Sequence, residues 1–191
     1  AIANTGEVIG QLVRQYACLY DSLQFMGRQE SELQAVLDEA LAACPGYPEP
    51  LCQQGYLHYK HGRYDQAENF LLQAMQLDQQ AQEHPEECMD SQMVSSRPYV
   101  HWMLGRIQEK KGNRARAAEY YTQSLTEDAY QETVLRDWYR LIQQQEPVRI
   151  LELLGCFYDR QLDRDFLLQV LQGFPYNEVY LYLFQPDAQS Y

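Results

Sequence analysis

Apolar residues recur at three-and-four spacing along most of the chain, the period of helices with one buried face. In SELQAVLDEALAAC they fall at Leu33, Val36, Leu37, Ala40 and Leu41. Ser31 with Gln34 predicts a capping box at its start, and Pro45 and Gly46 predict its stop. Upstream, EVIGQLVRQYACLYDSLQF places Val8, Leu12, Tyr16 and Leu19 on one helical face. Downstream, Ala67, Phe70, Leu71, Ala74 and Met75 form a third stripe. Leu135, Trp138, Leu141 and Ile142, then Ile150, Leu151 and Leu154, predict two more helices. DRDFLLQVLQG predicts another, stopped by Gly173 and Pro175. The tail YNEVYLYLF reads as a short helix, since an isolated strand would have no sheet to join. The pattern predicts an all-α protein.

Small residues repeat more faithfully than large ones. GYLHYKHGRYDQAENFLLQAM at 55–75 returns 50 residues later as GRIQEKKGNRARAAEYYTQSL at 105–125. Gly55 aligns with Gly105, Gly62 with Gly112, Ala67 with Ala117 and Ala74 with Ser124. Gly62 and Gly112 suit the left-handed position that closes a helix. Gly55 and Gly105 predict close helix crossings against Ala67 and Ala117, because a mid-helix glycine costs about 1 kcal/mol relative to alanine and needs a packing return.

The unit is a helix–turn–helix. One clear copy spans 48–81 and another 98–131, with an acidic insert at 82–97, QEHPEECMDSQMVSSR. Counting 34 residues back from Pro48 reaches Arg14, and a degenerate pair fills 7–47. Degenerate helices occupy 132–191, and the whole of 1–191 is expected to form one helical repeat domain. A 34-residue helix–turn–helix period resembles the tetratricopeptide repeat. That resemblance implies a right-handed α-solenoid whose first helices line a concave face. It places Glu49, Cys52, Tyr56 and Tyr59, then Tyr99, Trp102, Arg106 and Glu109, on that face. The candidate partner-binding residues are therefore Cys52, Tyr56, Tyr59, Tyr99, Trp102 and Arg106. Tyr and Trp offer large amphipathic contact area, although helix pairs also bury many aromatics in their cores. The chaperone-tail mode of the family uses Lys and Asn where this chain has Cys52 and Tyr56, so a carboxylate tail is not the expected ligand. From CPGYPEPLCQQGYLHYKHGRYDQAENF to RAAEYYTQSL, the chain also resembles the repeat region that follows the catalytic domain of bacterial family 2 glycosyltransferases, over roughly residues 10–170. On that alternative the piece is an accessory region, and the sugar-nucleotide chemistry lies upstream of Ala1. A first residue that is not Met fits an excised or processed piece.

Fifteen basic and 27 acidic residues give a net charge of -12, which argues against nucleic acid and anionic membranes as partners. No apolar run is long enough to span a bilayer. Five cysteines, Cys18, Cys44, Cys52, Cys88 and Cys156, form no CxxC and read as reduced thiols of a cytoplasmic protein. Asp163-Arg164-Asp165 mimics the metal-holding pair of glycosyltransferases, but it precedes a helix rather than following a strand and reads as capping. His58 and His61 lie three apart without a completing ligand, and His84-Pro-Glu-Glu-Cys88 reads as a solvated acidic loop. No cofactor, metal or catalytic site is expected. The expected partner is a protein or peptide, with self-association through the solenoid ends as a further route.

Overall fold

In the computed structural model residues 3–85 and 96–174 are described, with side chains from Gly6 onward. Nine helices follow one another there: α1 (Ala3–Phe25), α2 (Glu30–Ala43), α3 (Pro48–Lys60), α4 (Tyr64–Glu83), α5 (Arg97–Lys110), α6 (Arg114–Glu127), α7 (Glu132–Ile142), α8 (Pro147–Gly155) and α9 (Arg164–Leu171). They form an all-α solenoid of paired helices. The closest pairings are α3 with α4 and α5 with α6, while α1 touches α3 and α3 touches α5. First helices of successive pairs therefore stand side by side. The tail at 176–184 and most of the acidic insert, with Met89, Met93 and Cys88, lie outside the described residues.

The two copies of the glycine pattern do the same work. Gly62 and Gly112 take φ +74 and +81 after the ends of α3 and α5. The Gly62 N–H donates to the Tyr59 carbonyl and the Arg63 N–H to that of His58; Gly112 and Asn113 repeat this on Glu109 and Gln108. Both are left-handed closures that satisfy the last carbonyls of a helix. A Cβ at Gly55 would lie 2.6 Å from the Leu71 side chain and 3.3 Å from the Ala67 carbonyl oxygen. One at Gly105 would lie 2.6 Å from Cδ1 of Tyr121. The crossing expected against Ala67 and Ala117 is thus made chiefly by the next core residue along the second helix.

Burial follows the stripes. Leu33 and Leu37 pack with Tyr20 and Leu57. Leu51, Ala67, Leu71, Leu104 and Ile107 build the central core. Leu125, Leu135, Trp138, Ile150 and Leu167 build the C-terminal one. Two local expectations are corrected. Ser31 does not cap α2: Gln29 holds the N-cap position without a side-chain bond, and Gln34 donates to Asp38 instead, at 2.8 Å. The chain re-enters the helix early, and Glu30 and Glu32 complement the helix dipole in the first turn. In α1 the buried face carries Val13 and Tyr20, whereas Val8 and Leu19 are exposed. Helix α1 opens the described array, so only the side turned to α2 and α3 is covered.

Candidate functional site

Helices α3 and α5 each carry a proline in the first turn, Pro48 and Pro98, whose fixed φ suits that position. Their shared register brings the aromatic residues of the two first helices together. The Tyr56 and Tyr99 rings meet edge-on with centroids 5.0 Å apart, and Tyr99 lies 5.3 Å from Trp102. Tyr99 is 43% exposed, while Tyr56, Tyr59 and Trp102 are half-buried. Cys52 is 3% exposed and belongs to the core beside Ala67 and Leu71. Burial holds its thiol far above the ordinary range despite a hydrogen bond from the Tyr56 hydroxyl. It offers a partner little more than an edge of the floor.

Arg106 is engaged within the chain. Its guanidinium lies 5.8 Å from the Trp102 ring centroid and 3.3 Å from Oδ2 of Asp137, and it hydrogen-bonds Tyr59, which raises its pKa. Trp102 Nε1 donates to the same Asp137 oxygen at 2.9 Å. Glu109 accepts from the Tyr121 hydroxyl at 2.5 Å and pairs with Arg140 at 2.9 Å. Residues of α5 and α7 thus clamp one another. Sequence reading missed Asp137 and Arg140, yet Arg140 stands 34 residues after Arg106, so the repeat period itself marks it.

A cavity of about 320 Å³ opens where α1, α3 and α5 meet. Its lining includes Tyr20 and Asp21 of α1, Glu49, Gln53 and Tyr56 of α3, and Tyr99 of α5. Desolvation by burial, with Asp21 adding, pushes the Tyr20 phenol up to about 12. The α1 contributors were not foreseen, because the degenerate first pair has no glycine register from which to count.

The tempting motifs have local partners. His58 Nδ1 accepts from Arg63 Nε at 2.7 Å, and its ring stacks on Phe70. His61 Nδ1 lies 3.3 Å from Glu30, which also pairs with Arg63. The cluster ties the start of α2 to the α3–α4 turn. Asp163 sits at the N-cap of α9 but makes no side-chain cap there. Its carboxylate accepts from the Asp159 N–H at 2.7 Å and the Tyr130 hydroxyl at 2.8 Å, bracing the preceding loop. Among the described residues, no group of three or more His, Cys, Asp or Glu side chains is placed to hold a metal ion. None of their helices is long and apolar enough to cross a membrane.

No curated protein matches the chain. One solved structure, described as "Functional Characterization of Pseudomonas Aeruginosa pilF", is 16% identical, with 91% of this chain and 97% of that chain covered and a TM-score of 0.39. A likeness that distant carries no inference here. Residues 48–80 and residues 103–132 each match the tetratricopeptide repeat family. Those two segments take in α3 with most of α4, and the second half of α5 with α6, so the chain carries two tetratricopeptide repeats.

Proposed function

We propose that the chain is a non-catalytic interaction module that binds a peptide or partner domain on the face formed by α1, α3 and α5. The observation that carries this reading is the continuous aromatic row Tyr56–Tyr99–Trp102, which stays partly open to solvent. Buried rings such as Trp138 and Tyr139 serve the core. Half-open aromatic rings beside a cavity are the typical anchors of binding hot spots. Tyr99 is the cleanest probe, because its ring reaches solvent while Trp102 is bonded to Asp137. Tyr99→Ala weakens partner binding at least tenfold while leaving the far-UV circular dichroism and melting profile close to wild type. Equal affinity of the variant and wild type for a validated partner would remove the assignment. The accessory-region reading is separated from this one by the sequence encoded upstream of Ala1: a nucleotide-sugar transferase domain there supports it, and an unrelated domain removes it. Self-association would use the apolar residues uncovered at the first pair, Val8, Leu19, Phe25 and Met26; a constant monomer mass in light scattering across concentrations would exclude it.

A further inference from the structure

The cavity between α1, α3 and α5 has an unusual electrostatic make-up. Glu49 stands in the first turn of α3 and lines it. Its Oε2 is sealed from solvent and has no hydrogen-bond partner among the described residues. A buried carboxylate oxygen without a partner is costly. Burial, with Asp78 nearby, raises the pKa of Glu49 above the ordinary carboxylate range. Asp21, exposed on α1, adds a second acidic group to the lining. The rings of Tyr20, Tyr56 and Tyr99 complete the walls, and aromatic rings attract cations.

Among the described residues, no cationic side chain bonds the sealed Glu49 oxygen. Arg97, close in sequence to the lining residues Ser96 and Tyr99, is bonded to Asp78 at 2.7 Å. Residues 86–95 and 175–191 contain neither Lys nor Arg. A volume of about 320 Å³ lies at the bottom of the roughly 300–1,000 Å³ range of small-molecule pockets, which suits one side chain rather than a whole metabolite. A net charge of -12 favours the approach of a basic partner.

We infer, resting on the groove reading above, that this cavity takes a Lys or Arg side chain projected from an extended basic segment of a partner protein. Glu49 is the counter-ion, Asp21 draws the cation in, and Tyr56 and Tyr99 hold the aliphatic stem. Recognition is therefore of a positive side chain set among residues that cover the aromatic row.

The test is an array of random twelve-residue peptides probed with the full chain, followed by fluorescence polarisation on the strongest binders. The expected result is enrichment of Lys or Arg at one fixed position. Replacing that residue by norleucine lowers affinity at least about tenfold, consistent with loss of a charge partner in a desolvated site. Glu49→Gln erases the preference, and Asp21→Asn, at an exposed site that does not endanger folding, weakens it and flattens its salt dependence. Peptides that bind without a basic preference, or whose preference survives both substitutions, overturn the inference and leave the groove reading standing. Absence of any bound peptide overturns both.

Discussion

Gly105→Ala is the sharpest test of the helix-pair packing. By propensity alone the change favours α5 by about 1 kcal/mol. The new Cβ would stand 2.6 Å from Cδ1 and 3.1 Å from Cζ of Tyr121, well inside van der Waals contact. Tyr121 is 0% exposed, so its ring has no free space to retreat into. Overpacking of this kind costs about 1–3 kcal/mol. Displacing the ring also disturbs the 2.5 Å bond from its hydroxyl to Glu109, and a bond to a charged group contributes about 1.5–3 kcal/mol. The net expectation is a loss of about 2–4 kcal/mol, since both costs exceed the propensity gain. Urea unfolding followed by circular dichroism reads it as a lower midpoint at unchanged slope. Hydrogen exchange places the loss in α5 and α6, because each repeat contacts only its neighbours. Gly155→Ala is the control: its Cβ would meet nothing within 4 Å and its φ is not positive, so it is neutral or stabilises by up to about 1 kcal/mol. If Gly105→Ala proves as stable as wild type, the repeated glycine is not a packing requirement.

Asp78→Ala is expected to cost about 3 kcal/mol, the low end for breaking a buried pair because Arg97 keeps some access to water; thermal unfolding checks it, and a loss below about 1 kcal/mol would mean that the bridge from α4 to α5 behaves as a surface pair. Glu49→Gln is expected to stabilise the unbound chain at neutral pH. The folded pKa of Glu49 is raised, so its ionised form opposes folding above that value, and the gain shrinks as pH falls towards the ordinary carboxylate range; a gain independent of pH would refute the electrostatic origin. His58 has the opposite linkage: burial and Arg63 lower its pKa, so its contribution is present near neutrality and is lost as pH falls from about 6.5 through the lowered value. His58→Gln should flatten the acid limb of the stability curve, and an unchanged limb would dismiss the Arg63–His58 contact as its source.

The repeated glycines, the three-and-four stripes and the prolines in the first turns of α3 and α5 are local signals, readable because each reports a backbone or burial requirement of its own neighbourhood. They were enough to predict an all-α fold and two equivalent helix pairs. Other features depend on residues distant in sequence. Val8 and Leu19 have the period of a buried face, yet their exposure is decided by where α1 sits in the array. Ser31 has the chemistry of a cap, but the chain enters α2 two residues earlier, with Gln29 at the N-cap. Cys52 and Tyr56 hold comparable places on α3, and only packing against α4 and α5 makes one core and the other a wall. The cavity joins α1 to α5 across more than 70 residues. Sequence alone determined which faces must be covered; the tertiary structure decided what covers them and left Glu49 Oε2 without a partner among the described residues. The reason is physical: periodicity records a demand for burial, whereas desolvation and pairing depend on which distant surface meets it.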